Sequence, residues 1–263
     1  MDDVATAEPL ERRPPPPEQR DPLGSFMRVL GELMVTAGAV VLLFVVYELY
    51  VTDLLSDRAQ DSLSRELRDD WDRTPAVAAP PAPVGDVPVG EAFAFLYIPR
   101  LGDDYARAVV EGTGQAELAQ GPGHYVDTAM PGEPGNFSVA GHRVGKGSPF
   151  LDLDQLRPGD PIVVETSTGW YEYRVLGDAQ SGDLSVAVDG VPGRQIVDPS
   201  AVEVIAPVPG QPGATPTTSY LTLTTCHPKF SAAQRMIVHA VLAGPPVSRA
   251  ELPDGPASLN GGG

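Results

Sequence analysis

Short, largely apolar blocks typical of strands recur from residue 92 onward, and Gly or Pro separates most of them. In Tyr220–Thr225, Leu221, Leu223 and Thr225 alternate with Thr222 and Thr224, the two-residue period of a strand that buries one face. The blocks that fit are Ala92–Pro99, Tyr105–Gly112, Asn136–His142, Pro161–Thr166, Trp170–Leu176, Val202–Pro207, Tyr220–Thr225 and Met236–Leu242. Helical patterns within this part are limited to Gln115–Gln120 and Phe150–Leu156, and Thr166–Gly169 is typical of a hairpin turn. About eight strands predict a mostly β domain over residues 91–244, folded as a closed or nearly closed barrel with short helices.

A different pattern stands near the N-terminus, where Leu33–Tyr47 is a largely apolar run without charged residues. Extended to residues 29–51, it reaches the roughly 20 residues that cross a bilayer. A cleaved signal peptide fits poorly, because the run starts late and no small-x-small cleavage site follows it. A buried core helix is the other alternative. We interpret residues 29–51 as one transmembrane helix that precedes the barrel.

Charges around this segment predict its orientation. Four arginines precede it and two aspartates follow it closely: Arg12, Arg13, Arg20, Arg28, Asp53 and Asp57. The positive-inside bias places the N-terminus in the cytoplasm and the domain outside the cell membrane. Residues 1–28 are polar and proline-rich, so they are expected to form a disordered cytoplasmic arm.

Residues 52–90 connect the anchor to the domain. Apolar residues spaced four apart predict a helix over Asp53–Asp72, which we interpret as a solvated juxtamembrane stalk in preference to a partner-binding helix. Thr74–Gly90 is rich in Pro, Ala and Val and is expected to act as a semi-rigid spacer. At the other end of the domain, residues 245–263 are expected to be a disordered tail.

Composition narrows the function classes. The formal net charge of −17 argues against nucleic acid as a partner, because phosphate binding needs clustered Lys and Arg. The single cysteine, Cys226, excludes an internal disulfide. The lone thiol is therefore either buried and inert or kept for its reactivity.

Residues capable of chemistry stand at the ends of predicted strands. Cys226 follows the strand Tyr220–Thr225, Pro228 prevents the ladder from continuing, and Arg235 opens the next strand. His142 stands in a glycine-bounded turn just after another strand. A thiolate nucleophile, a histidine acid and base, and a guanidinium for the oxyanion suit acyl transfer.

Two other interpretations of these residues stay open at this point. A metal site is disfavoured, because the chain has no CxxC or HxxxH pair. A buried structural cysteine is the common outcome for a lone Cys, and spacing alone leaves it balanced against the reactive one. Among the other histidines, His239 alternates within a strand and is interpreted as structural. His227 is expected to point away from the thiol, and His124 is a candidate supporting residue.

Two motif blocks resemble those of a known family. TLTTC followed nine residues later by Arg235 resembles the sortase signature TLxTC…R, and GHR at Gly141–Arg143 resembles the sortase histidine motif. The longer stretches GPGHYVDTAMPGEPGNFSVAGHR and LTLTTCHPKFSAAQRMIVHA resemble class E sortases of high-GC Gram-positive bacteria. The resemblance covers about Phe93–Leu242 and implies the eight-stranded sortase-type β-barrel.

The resemblance also implies a mechanism. Cys226 would cleave a sorting pentapeptide between Thr and Gly and form a thioacyl enzyme. His142 would serve as general acid and then base, while Arg235 would stabilise the oxyanion and orient the peptide. The amine of a peptidoglycan precursor would resolve the intermediate and attach a surface protein to the cell wall, with no cofactor or metal.

Substrate details follow from the same resemblance. Class E members are associated with Leu-Ala-x-Thr-Gly motifs in place of Leu-Pro-x-Thr-Gly. We expect Tyr125 to contact the second position and Thr225 and His124 to lie in the substrate-binding region. A housekeeping anchoring role is favoured over a pilus polymerase. The alternatives are a catalytically silent, membrane-tethered β-barrel that binds a surface peptide, and a simple cysteine peptidase that uses water.

Overall fold

A computed structural model describes residues 22–47, 52–73 and 79–259. The first unit contains helix α1, Pro22–Val46, whose proline stands at the first helical turn, where a missing N–H costs nothing. Its stretch Leu23–Val46 is long and apolar enough to cross a membrane. The predicted span 29–51 therefore overlaps a real apolar helix that begins earlier. The expected disorder is wrong for residues 22–28, which are helical, while residues 1–21 and 48–51 lie outside the described residues.

The second unit holds the remaining elements. Helix α2 is Thr52–Arg73 and helix α3 is Gln115–Leu118. The strands are β1 Ala92–Tyr97, β2 Ala106–Glu111, β3 Gly123–His124, β4 Gly135–Ala140, β5 Pro161–Thr166, β6 Gly169–Val175, β7 Ala187–Val188, β8 Val191–Pro192, β9 Arg194–Val197, β10 Ser219–His227, β11 Gln234–Leu242 and β12 Val247–Ser248. Short 3₁₀ turns lie at Pro99–Leu101, Leu153–Gln155, Val202–Ile205 and Ala257–Leu259.

Eight strands close into a barrel in the order β6-β5-β1-β2-β3-β4-β10-β11, and pairing of β11 with β6 completes the ring. β9 adds to β11 and β12 adds to β6. Most neighbours are antiparallel, but β10 runs parallel to β4, and β2 runs parallel to β3. Inward-facing apolar side chains fill the interior, among them Phe137, Tyr173, Leu221 and Leu223. The predicted eight-stranded barrel is confirmed.

One strand assignment is wrong although the count is right. Val202–Ile205 forms a 3₁₀ turn in which only Val204 is buried, and Val202 is 72% exposed. Pro207 and Pro209 follow and cannot donate to a ladder, which removes the support a strand would need. The eighth strand of the ring is instead β3, which is too short to show a period.

Helix α2 packs on the outside of the barrel, so the expected solvated stalk is wrong. Leu67 and Trp71 are buried, and the Trp71 ring meets Phe95 edge-to-face at a centroid distance of 5.4 Å. The Arg68 guanidinium donates two hydrogen bonds of 2.6 Å to the buried carboxylate of Glu165. The spacing of apolar residues predicts helix α2 correctly, but it does not indicate which residues of the barrel pair with the polar residues of the helix.

The segments flanking the barrel are also packed against it. Val84 and Val87 lie against the core, so the described part of the expected spacer, residues 79–90, covers the barrel wall. At the other end, β12 extends the sheet, and the Trp170 indole donates to the Leu252 carbonyl at 2.8 Å. The expected disordered tail is therefore wrong for residues 245–259, because these contacts hold it in place. Residues 260–263 lie outside the described residues.

Candidate active site

Cys226 lies near the end of β10, directly opposite Arg235 on β11. The thiol is free and partly buried. The strand continues through His227, two residues beyond the predicted end, and stops before Pro228. Directly opposed residues of an antiparallel pair point to the same face of the sheet, with Cβ atoms about 4.5–5.5 Å apart. The thiol and the guanidinium therefore leave the sheet on one side.

The turn after β4 places His142 beside the same strand end. In the parallel β4–β10 pair, Ala140 is in register with Thr224. The Gly141 N–H then donates to the Thr224 carbonyl at 3.0 Å, and the Thr225 hydroxyl donates to the Gly141 carbonyl at 2.8 Å. These two bonds extend the pairing to the residue immediately before the histidine.

Gly141 itself is required by packing. A Cβ at this position would lie 2.5 Å from a ring carbon of Phe150, which is fully buried. The chain can pass this close to the ring only without a side chain. The glycine of the GHR motif thus sets the path of the backbone into His142.

Cys226 and His142 line one cleft of about 230 Å³. Its other lining residues come from the His142 turn and from the loop between β10 and β11: Arg143, Val144, Phe230, Ser231 and Ala232. The nucleophile candidate and the acid–base candidate, 84 residues apart in sequence, therefore face the same small volume.

Arg235 lines a neighbouring pocket of about 120 Å³. Its Nη1 donates to the carbonyls of Ala232 and Gln234 at 3.0 and 3.1 Å, which holds the guanidinium at the base of the β10–β11 loop. The pocket is largely apolar on its other walls, which include Val197, Val202, Val204, Ile205 and Ile237. An extended peptide that crosses from this pocket to the cleft would pass both Arg235 and Cys226.

The electrostatics of His142 favour its neutral form. Burial lowers the pKa of the imidazole below its usual value, and the nearby Lys146 ammonium lowers this pKa further by repulsion. Its Nε2 is buried without a hydrogen-bond partner in the protein. Residues Gly145 to Ser148 all have positive φ, an uncommon run that includes two non-glycine residues. Such unsatisfied and strained groups are typical of functional sites.

Tyr125 lies in the Arg235 pocket, and its hydroxyl is 3.0 Å from the Thr224 hydroxyl. Thr225 and His124 are buried and are not among the lining residues of either pocket. Thr225 supports the His142 turn through the bond described above. His124 is held by Glu111 at 2.7 Å from Nδ1, and by the Thr128 hydroxyl at 2.8 Å from Nε2. It thereby fixes the loop that carries Tyr125.

The two remaining histidines have structural partners. His239 lies between the Thr222 hydroxyl and the Gln195 amide, and burial lowers its pKa to about 3, which agrees with the structural role predicted for it. The Nδ1 of His227 accepts a hydrogen bond of 3.1 Å from Arg143. Arg143 stands in the GHR motif but was not among the residues predicted from the sequence to take part in the site. The available signal was a charged residue inside a segment that is otherwise small and apolar.

Comparisons with known proteins agree on one family. Residues 96–243 match the family model described as the Sortase domain. Sortase SrtE1 of Streptomyces coelicolor is 36% identical over 221 residues, which are 80% of this chain and 55% of that protein. Sortase SrtE2 of the same organism is 34% identical over 219 residues, 80% of this chain and 79% of that protein. The chain thus spans about half the length of the first of these relatives and most of the second.

Solved structures show the same similarity. The SrtF sortase from Corynebacterium diphtheriae is 43% identical with a TM-score of 0.61, over 70% of this chain and 99% of that one. A crystal structure of sortase E1 from Streptomyces coelicolor, with a tripeptide in its active site, is 34% identical with a TM-score of 0.53. That match covers 65% of this chain and 97% of the solved chain.

Proposed function

This chain belongs to the sortase family of cysteine transpeptidases, with class E sortases among its relatives, and we propose that it anchors surface proteins to the cell wall. In this proposal it cleaves a C-terminal sorting motif between Thr and Gly through a thioacyl enzyme. It then transfers the acyl group to an amine of a peptidoglycan precursor. In this proposal α1 anchors the protein in the membrane, with the N-terminus in the cytoplasm and the barrel outside the cell.

The observation that carries the proposal is the joint placement of three side chains. Cys226 and His142 line one cleft, and Arg235 stands directly opposite Cys226 across the β10–β11 ladder. A thiol, an imidazole and a guanidinium on one face of a rigid sheet supply a nucleophile, a proton carrier and an oxyanion donor. A binding module has no need of this combination.

In the acylation step, the Cys226 thiolate attacks the carbonyl carbon of the substrate threonine. The guanidinium of Arg235 donates hydrogen bonds to the oxyanion that forms. The carbon–nitrogen bond to glycine then breaks, and protonated His142 gives its proton to the leaving amine. The products are a thioester on Cys226 and a free N-terminal glycine peptide.

In the second step, neutral His142 takes a proton from the incoming amine as the amine attacks the thioester. The new amide bond forms, and Cys226 leaves as the thiolate that began the cycle. The depressed pKa of His142 suits this half of the cycle, because it keeps the imidazole able to accept a proton near neutral pH.

The Arg235 pocket is the proposed site for the side of the peptide that precedes threonine. Its apolar walls suit the leucine of the motif, and Tyr125 is the proposed contact to the second residue. The resemblance to class E sortases makes Leu-Ala-x-Thr-Gly the proposed motif, and Leu-Pro-x-Thr-Gly is the comparison.

The test uses the full-length chain in detergent micelles, because α2 and the flanking segments pack on the barrel. Peptides with either motif are incubated with and without a primary amine, and the products are identified by mass spectrometry. We expect a Thr–amine product that disappears in Cys226→Ala and forms faster from the Leu-Ala peptide. Hydrolysis alone at every amine concentration would show a cysteine peptidase. A Cys226→Ala variant with unchanged turnover would refute the nucleophile assignment.

A further inference from the structure

Arg143 is a buried cation in the wall of the Cys226–His142 cleft, with only 4% of its surface exposed. Its Nη1 donates to the Nδ1 of His227 at 3.1 Å and lies 3.7 Å from the sulfur of Met236. Its Nη2 donates to the Asp154 carboxylate at 2.8 Å. One guanidinium therefore touches three separate elements: the end of β10, the start of β11 and the 3₁₀ turn that contains Asp154.

Arg143 and two of the residues that its guanidinium contacts, His227 and Met236, each directly follow one member of the proposed catalytic set in the sequence. The pairs are His142–Arg143, Cys226–His227 and Arg235–Met236. The pairs Cys226–His227 and Arg235–Met236 lie in strands, where neighbouring side chains point to opposite faces, so His227 and Met236 point away from the catalytic face. Arg143 follows His142 in the turn and reaches both of them from the wall of the cleft.

A role in stability alone does not explain this arrangement well. Taking a guanidinium out of water costs free energy that one partly exposed carboxylate offsets incompletely. The Nε of Arg143 is also buried without a partner. Replacing both partners of a buried ion pair by well-packed apolar residues is often neutral for stability, so the pair alone is weak evidence for a stabilising role.

We propose that Arg143 is a positioning residue, which fixes the backbones that carry Cys226, His142 and Arg235 relative to one another. This inference rests on the proposed function of those three residues. Arg143 acts through its neighbours and does not touch the substrate. Because its Nη1 donates to His227 Nδ1, it also requires the imidazole proton of His227 to be on Nε2.

The consequence is a specific kinetic signature. Misplacing reacting groups by about 1 Å costs on the order of 100-fold in rate. Arg143 lines the Cys226–His142 cleft and not the Arg235 pocket, so its replacement should change peptide binding in that pocket much less than the rate. Arg143→Met keeps the length of the side chain but loses the charge and every hydrogen bond. We expect kcat to fall by about 10- to 100-fold and KM for the peptide to change by less than about threefold.

The experiment compares Arg143→Met and Arg143→Lys with a matched control, Arg100→Met. Arg100 likewise pairs with an aspartate, the buried Asp160, at 2.8 and 2.6 Å, but lines neither active-site pocket. Full-length variants are assayed for kcat, KM and melting temperature by the ligation reaction. We expect the lysine to recover part of kcat, because it restores the charge at Asp154, and the Arg100 variant to lose stability while keeping kcat.

Three results would overturn the inference. The first is an Arg143→Met variant with wild-type kcat, and the second is a loss of kcat in Arg100→Met as large as in Arg143→Met. The third is a rise in KM that accounts for the whole effect. If Arg143→Met does not fold, Asp154→Asn is the deciding variant, because it releases one end of the guanidinium by a change at a partly exposed position. An unchanged kcat in Asp154→Asn would also overturn the inference. Failure of the proposed function would be recognised separately, in the wild-type chain, which would give no Cys226-dependent product. The inference about Arg143 would then fail as well.

Discussion

The packing of α2 on the barrel depends strongly on Gln60, whose side-chain amide completes an interrupted strand edge. Its Oε1 accepts from the Ala108 N–H at 2.9 Å, and its Nε2 donates to the carbonyls of Ala108 and Gln120 at 3.1 and 2.6 Å. Ala108 is fully buried in β2. The amide thus replaces the backbone of a neighbouring strand where β3 does not reach.

Gln60→Leu removes these three hydrogen bonds and leaves the backbone groups of β2 without partners. At roughly 1 kcal/mol for each bond, the free energy of unfolding should fall by about 3 kcal/mol. For a domain of this size, that loss lowers the melting temperature by about 6–12 °C. Gly121→Ala should act through the same contact, because a Cβ there would lie 1.9 Å from the Gln60 Nε2.

Thermal unfolding of full-length variants in detergent measures the loss, with exposed Asp69→Asn on the same helix as the control. Amide hydrogen exchange gives a local readout, because the Ala108 N–H should lose protection in Gln60→Leu and keep it in the control. A Gln60→Leu variant with wild-type melting temperature and a protected Ala108 amide would refute the packing of α2 on the barrel.

Three further predictions concern charge at the site and in the core. Lys146→Asn, chosen because asparagine tolerates the positive φ of 54° at this position, should raise the pKa of His142 by removing a repelling charge. Since His142 acts as an acid only when protonated, the alkaline limb of kcat/KM should move to higher pH, and an unmoved limb would contradict the role of Lys146. His239 has a pKa lowered from 6.5 to about 3, so its contribution to stability is present above pH 6.5 and is lost as the pH falls toward 3. The free energy of unfolding should therefore decline with a slope of up to about 1.4 kcal/mol per pH unit, and His239→Gln should reduce that slope; equal slopes would count against it. Arg235→Lys should lower kcat by about 100-fold, because lysine lacks the planar donor fork, and near-normal kcat would argue against oxyanion stabilisation.

The sequence alone predicts the barrel because short apolar blocks of strand length recur and Gly or Pro stands between most of them. It fails where tertiary contacts decide the structure. Val202–Pro207 has the composition of a strand, but Val202–Ile205 forms a 3₁₀ turn and Pro207 cannot donate to a ladder. The two residues of β3 complete the ring although they are too few to show any period. The residues after Gly244 look like a tail, yet an open edge of β6 and the Trp170 indole hold them.

More of the candidate site than of the surrounding secondary structure could be predicted from the sequence. Cys226, His142 and Arg235 stand in motifs that resemble those of a known family, and their strand ends predict a common face. The sequence marks Arg143 only as a charged residue in the GHR motif, and the role proposed for it depends on three elements that meet only in the folded chain. The buried positions of His124 and Thr225 likewise follow from packing that no short motif encodes.

The most direct test of the whole account is to trap the thioacyl enzyme. Full-length protein is mixed with excess Leu-Ala-x-Thr-Gly peptide without an amine, quenched in acid within seconds, and examined by intact-mass and peptide mass spectrometry. The proposed mechanism predicts an adduct with the mass of the acyl fragment ending in threonine, located on Cys226 and lost when an amine is added. Product formation with an unmodified Cys226 at every time point, and undiminished in Cys226→Ala, would contradict it.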